Sequence, residues 1–242
     1  MKDFTKHKDE LSENGFTILE NIYSKDEVEK LLSSIEQVDD STKQTFRKSE
    51  DLFAIRQFLK EVPQTADLIF NEKLKGIIRQ LFGEDYFVVK SIYFDKPETS
   101  NWFVAYHQDL TISVDNKREL PHFGSWTVKQ NQFAVQPPLA ILENIFTIRI
   151  HLDDTDEKNG ALKVVPGSHL KKIYRPETID WKVETEILCP VPLGGLMIMK
   201  PLLLHGSNRT TNNKRRRVLH IEFSNQELPK EINWSEQLQR VC

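Results

Sequence analysis

The chain has 242 residues, 38% hydrophobic and 29% charged, with a formal net charge of −3. That composition suits a soluble globular protein of one domain, and the charge excludes a nucleic-acid-binding surface as the main business. No run reaches the ~18 apolar residues of a membrane span. The polar Met1–Glu10 stretch is no signal peptide, and two cysteines, Cys189 and Cys242, imply cytoplasmic thiols and not a disulfide framework.

Residues 1–85 read mainly as helical support. A short helix over Phe4–Leu11 ends near Asn14-Gly15, and Phe16–Glu20 alternates like a strand. Ser24 with Glu27 three residues on forms a capping box, and Val28, Leu31, Leu32 and Ile35 then recur at helical spacing. Further helices are predicted over Gln64–Phe70 and Glu72–Phe82, the second stopped by Gly83. From Tyr86 the period becomes two. Strands are predicted at Tyr86–Phe94, Phe103–Asp109, Ile145–Leu152, Ala161–Val165, Val183–Leu188, Leu196–Met199 and Arg215–Phe223. Lys90 lies in the first of these, either facing a bound anion or turned outward. Residues 112–146, punctuated by Pro121, Gly124, Pro137 and Pro138, read as a long irregular segment. A loop of that length suggests function, such as a lid, with His122 and Trp126 as residues of interest or simple loop packing. Arg149 sits in mid-strand with Thr147 and His151 on its face. It either holds an anionic substrate group or forms a structural salt bridge. Asp153 and Asp154 open a turn-rich acidic connection that reads as a solvated hairpin.

One constellation carries chemistry. His107 and Asp109 stand two residues apart at a strand end, so both side chains can converge on one point. An imidazole nitrogen and a carboxylate oxygen make two thirds of a facial ligand set for non-haem Fe(II). An isolated H-x-D is common by chance. His205, ending the apolar run Pro201–Leu204, offers a third ligand, and Arg216 follows eleven residues later. Three ligands leave coordination positions for a chelating keto acid and dioxygen, and an Arg can fork onto the keto acid's far carboxylate. Among the three consecutive arginines, alternation puts Arg216 with Val218, His220 and Glu222 on a polar face, while Arg215 and Arg217 read as surface or sheet-packing cations.

The order Trp102…His107-Gln108-Asp109-Leu110-Thr111, then Pro201-Leu202-Leu203-Leu204-His205-Gly206-Ser207, then Arg216, resembles the phytanoyl-CoA dioxygenase family of Fe(II)- and 2-oxoglutarate-dependent oxygenases. The likeness runs over roughly residues 14 to 225 and is strongest to small bacterial members. It implies a double-stranded β-helix (jelly roll, cupin-like barrel) of mainly β structure over residues 86–225, with N-terminal helices packed on one sheet. It implies Fe(II) on His107, Asp109 and His205, with Arg216 and Ser207 gripping the far carboxylate of 2-oxoglutarate. Gln108 and Lys90 are further candidates for the cofactor side. Arg149, Trp102, Tyr106 and His220 are candidates for the substrate side. The Pro166-Gly167-Ser168-His169 stretch matches a family turn, so His169 shapes a turn and is not a ligand. Residues 112–146 fall where family members insert substrate-shaping segments. Dioxygen would drive decarboxylation of 2-oxoglutarate to succinate, with hydroxylation of a small molecule as the default outcome. Halogenating relatives lack the carboxylate ligand, so Asp109 favours hydroxylation. A cupin-like Zn or Mn hydrolase or isomerase, or a non-catalytic binding protein, would use the same residues without 2-oxoglutarate. Substrate and oligomeric state are silent in the sequence.

Overall fold

The computed structural model describes residues 4–38, 44–49, 53–98, 102–129 and 132–238; Cys242 lies outside them. Helix α1 (Thr5–Glu13) leads into strand β1 (Phe16–Leu19) and helix α2 (Lys25–Glu36). The expected capping box opens α2. Ser24 Oγ accepts from the Glu27 amide, and the Glu27 carboxylate accepts from the Ser24 amide, which satisfies two donors that a helix start leaves open. Val28, Leu31 and Ile35 bury one stripe of α2. Strands β2 (Phe46–Lys48) and β3 (Phe53–Arg56) pair next, within the stretch read as helical support. Three or four residues carry too little alternation to announce a strand. The helix predicted from Gln64 divides into a 3₁₀ turn (Pro63–Thr65) and α4 (Ala66–Ile69), after the short α3 (Phe58–Glu61). Helix α5 (Glu72–Phe82) is capped by Asn71 and ends at Gly83, whose φ of 94° suits glycine.

The β region comprises β4 (Phe87–Lys96), β5 (Val104–His107), β6 (Ile112–Val114), β7 (Gly124–Lys129), β8 (Gln132–Gln136) and β9 (Ile145–His151), with α6 (Leu139–Glu143) before β9. It continues through β10 (Leu162–Val164), β11 (Ile187–Cys189), β12 (Leu196–Met199), β13 (His205–Ser207) and β14 (Arg216–Ser224). These make a seven-stranded sheet in the order β1-β12-β9-β14-β4-β3-β2, a four-stranded sheet β11-β10-β13-β5, and a three-stranded sheet β6-β8-β7. The two larger sheets face each other as the jelly roll expected.

Period-two alternation sorts the large sheet into two faces. Leu219, Ile221 and Phe223 of β14, with Phe146, Ile148 and Ile150 of β9, pack against the helical layer in one apolar cluster. The opposite face turns to the four-stranded sheet, where Met197 and Met199 meet Leu162, Val164 and Cys189. Burial pushes the Cys189 thiol up to about 12, so it packs as a small apolar group.

Two expectations are corrected here. The segment 112–146 is a built sheet and not an irregular lid: Ile112, Val114 and Val135 bury against Ile232 and Trp234 of the irregular tail. Trp126 packs on that cluster and His122 lies exposed in a turn, so neither faces the metal cavity. Nor are Asp153 and Asp154 simply solvated. Asp153 takes the Arg217 guanidinium at 2.6 and 2.9 Å as well as its amide, and Asp154 accepts from the Leu193 amide at 2.8 Å. Arg217 and Arg215, the latter paired with Asp95, are thereby surface or sheet-packing cations as predicted.

Candidate metal centre

Strands β13 and β5 run antiparallel with His205 directly opposite His107, and their rings lie 4.2 Å apart between centroids. Beyond β5 the Asp109 amide donates to Pro201 O at 2.9 Å, which returns the carboxylate to the paired imidazoles. Asp109 Oδ1 lies 3.8 Å from His107 Nε2, and Oδ2 lies 3.8 Å from His205 Nε2. The three ligand atoms sit within 4.8 Å of one another.

Hydrogen bonding fixes which atoms face inward. His107 Nδ1 is 2.9 Å from Ala105 O, and His205 Nδ1 is 2.9 Å from Leu203 O. A carbonyl can only accept, so each Nδ1 carries the proton and each Nε2 presents a lone pair to Asp109. Asp109 Oδ2 is buried without a partner. Lone pairs facing an unpartnered carboxylate oxygen repel, and a divalent cation among them removes the repulsion. The N, N, O donor set suits non-haem iron. Burial pushes His205 down to about 4 against the pull of Asp109, which keeps the ring neutral. Burial of Asp109 favours its protonated form, but the basic groups around it, Lys90 among them, outweigh it and hold the carboxyl well below the usual range. His205 and Asp109 are therefore in the protonation states that bind a metal near neutral pH.

The cavity above these ligands is about 240 Å³, and the polar face of the large sheet forms its floor. At one end Arg216 is half-buried, and one guanidinium nitrogen donates to Gly160 O. Burial, then repulsion from Arg149, pushes Arg216 down to about 9, so it remains a cation at neutral pH with no carboxylate partner among the described residues. Ser207, on β13 beside His205, lines the same cavity. So does Lys96, which pairs with Arg216 across the ladder and donates to Trp102 O at 2.9 Å and Asn208 O at 3.0 Å. Lys96 was not foreseen, although it shares the face of Lys90 by alternation. In mid-floor Arg149 Nη1 donates to His220 Nδ1 at 3.1 Å, and the other ring nitrogen meets Glu222 Oε1 at 3.0 Å. Arg149 Nε is buried without a partner, and burial pushes the guanidinium down to about 10. Lys90 closes the other end, 2.7 Å from Glu222 Oε1.

Of the residues singled out in the sequence, His107, Asp109, His205, Ser207, Arg216, Arg149, His220, Lys90 and Trp102 all line this one cavity. Two do not. Gln108, one residue past the end of β5, points away from the cavity, where Nε2 donates to Lys172 O and Leu202 O and Oε1 accepts from the Tyr174 amide. It is a backbone clamp and not a cofactor ligand. Tyr106 alternates away from His107, donates to Glu186 and rests its ring 5.5 Å from that of Trp181. Lys90 is in the cavity but at the far end of β4 from Lys96, away from Arg216. His169 meets Ser12 O at 3.2 Å outside the site, in the turn predicted for it.

The chain is 25% identical over 251 residues to a probable alpha-ketoglutarate-dependent hypophosphite dioxygenase of Stutzerimonas stutzeri, covering 91% of this chain and 78% of that protein. It is 25% identical over 173 residues to an ectoine dioxygenase of Nocardia farcinica, covering 67% of this chain but only about half, 51%, of that enzyme. Among solved structures, EctD from S. alaskensis with bound Fe shares the fold with a TM-score of 0.71 at 17% identity, over 93% of this chain and 79% of that one. The SnoK carbocyclase from nogalamycin biosynthesis, described as non-heme and alpha ketoglutarate dependent, gives 0.67 at 18% identity, over 91% and 83%. Residues 11–218 match the description Phytanoyl-CoA dioxygenase (PhyH), and the chain belongs to the phytanoyl-CoA dioxygenase family.

Proposed function

We propose that this Fe(II)- and 2-oxoglutarate-dependent dioxygenase hydroxylates a small molecule, holding iron on His107, Asp109 and His205 and the far carboxylate of 2-oxoglutarate on Arg216 and Ser207. One observation carries the reading: two imidazoles locked with Nε2 lone pairs inward, facing a buried Asp109 oxygen that has no other partner. When bound, iron supplies the activation of dioxygen coupled to decarboxylation of 2-oxoglutarate to succinate. The chain supplies position and charge. Arg216 is a half-buried cation with no carboxylate partner among the described residues, and its guanidinium would fork onto the far carboxylate while the Ser207 hydroxyl would donate to the same group. Arg149 offers its free Nε beside the ligands, held in orientation through His220 by Glu222. Ile92, Phe94, Val104 and Leu162 add apolar surface to the cavity wall. The carboxylate ligand Asp109 fills the position that a halide would need, which supports hydroxylation over halogenation. A reducing cytoplasm, in which Cys189 stays a thiol, is the setting this chemistry fits.

The test is an anaerobic titration of apoprotein with Fe(II) and then 2-oxoglutarate, following the weak visible band of an iron-chelated keto acid. The band is expected in the wild type and absent in Asp109→Ala. Arg216→Ala should retain iron and raise the 2-oxoglutarate needed for half-saturation by roughly 10–100-fold, the worth of one charge-assisted bond or a little more. A full band in Asp109→Ala would remove Asp109 from the ligand set, and tight Zn(II) binding with no response to 2-oxoglutarate would replace the oxygenase reading with that of a hydrolytic metalloenzyme.

A further inference from the structure

We infer that the substrate is a small polar molecule carrying one oxyanion, and that it docks in a second cavity next to the metal centre, walled by the β6-β8-β7 sheet and countercharged by Arg56. This rests on the oxygenase reading above and extends it to a substrate class.

The second cavity is about 250 Å³ and adjoins the metal cavity, with Lys90 and Ile92 lining both. It takes a small organic molecule, since a water needs only ~30 Å³. Its place is the one left for a substrate. Arg216 and Ser207 hold the cosubstrate's end of the floor, whereas Lys90 marks the other end of the same β4–β14 ladder. The chain also leads there directly, for Thr111, two residues beyond the ligand Asp109, is already part of the second cavity's wall.

The wall is built for hydrogen bonding. Ile112 and Val114 of β6 and Val135 of β8 face the buried cluster behind the sheet. Alternation therefore turns Ser113 and Ala134 to the cavity, and the register sets Ser113, Ala134 and Thr127 side by side across all three strands. The alanine at the centre leaves the hollow, and the two hydroxyls flank it. Gln132, next on the same face, has an Nε2 that is buried without a partner.

The charge is unbalanced. Lys90 is neutralised by Glu222 at 2.7 Å. Arg56 is half-buried and near enough to Lys90 to repel it, yet its guanidinium has no carboxylate partner among the described residues. The carboxylate in this wall, Glu236, is taken up by the amide and hydroxyl of Ser91, both at 2.6 Å. A half-buried guanidinium beside free amide and hydroxyl donors selects an oxyanion. Neutral or cationic molecules of the same size leave Arg56 uncompensated.

Anaerobic calorimetric titration of the Fe(II)·2-oxoglutarate protein with propylphosphonate, butyrate and neutral butyramide tests this. At least one of the anions should bind and butyramide should not. Arg56→Met should weaken the anion at least tenfold, Arg56→Lys should restore part of the loss, and both variants should keep the wild-type melting temperature and 2-oxoglutarate affinity. Equal binding of anion and amide, no binding by any probe, anion binding indifferent to Arg56→Met, or competition of the anion with 2-oxoglutarate would each overturn the proposal. The keto-acid band is recorded in the same samples. A normal band with no anion site defeats this inference alone, and a missing band defeats the oxygenase reading.

Discussion

Along β14, Leu219, Ile221 and Phe223 turn to the helices while Arg216 and His220 turn to the metal cavity, with Glu222 behind His220 on the same face. Apart from the half-buried Arg216, both faces are buried, so burial alone does not separate them. What differs is how each face satisfies its groups. The helix side is closed by apolar contact, including Phe223 stacked on Phe146 with centroids 4.8 Å apart. The cavity side keeps buried polar atoms without partners, at Asp109 Oδ2, Arg149 Nε and Thr147 Oγ1. Native interiors rarely leave such atoms alone, and those that remain mark where a ligand completes the structure. One face holds the fold and the other is held ready for what binds.

Substitutions on the two faces should therefore report in different measurements. His205→Ala is expected to abolish turnover and to lower iron affinity by more than the roughly 10–100-fold that loss of a merely ligand-orienting group costs. Metal-free stability should change far less. Phe223→Ala should do the opposite. It removes a ring stacked on Phe146 and edge-on to Phe70, at an expected cost of ~3–5 kcal/mol in chemical denaturation. The folded fraction should bind iron and 2-oxoglutarate as the wild type does. If Phe223→Ala shifts 2-oxoglutarate affinity as strongly as His205→Ala shifts iron, the two faces are mechanically coupled and the division fails.

Much of the cavity face was legible in the sequence because strand alternation is a strict rule. It assigned Arg216 from among three arginines and put Arg149 and His220 on the polar side, where they now lie 3.1 Å apart. The Ser24–Glu27 box was legible because a cap is local chemistry. Elements fixed by long-range pairing were not. Strand β8 is held by β6 and β7 through registers that no local window contains, so residues 112–146 read as a loop. Lys96 escaped notice for a related reason. Its neighbour in sequence is an ordinary surface-like Asp-Lys-Pro, and only pairing with Arg216 across the ladder brings it into the cavity. The second cavity needs three separate segments at once, and no single motif could have announced it.

Gln108 tests the comparison from the opposite side of the cavity, because it stands between His107 and Asp109 yet works on the structural side. Its amide joins three backbone groups, the carbonyls of Lys172 and Leu202 and the amide of Tyr174. Gln108→Leu keeps the apolar stem and leaves those groups without their partner, which should lower stability by about 1–3 kcal/mol. Because the clamp fixes the segment between His107 and Asp109, iron binding should weaken with it. The 2-oxoglutarate affinity of the iron-saturated protein should stay unchanged, since the side chain does not reach the cavity. Loss of 2-oxoglutarate affinity at full stability would instead return Gln108 to the cofactor side and place the boundary between the two roles within a single strand.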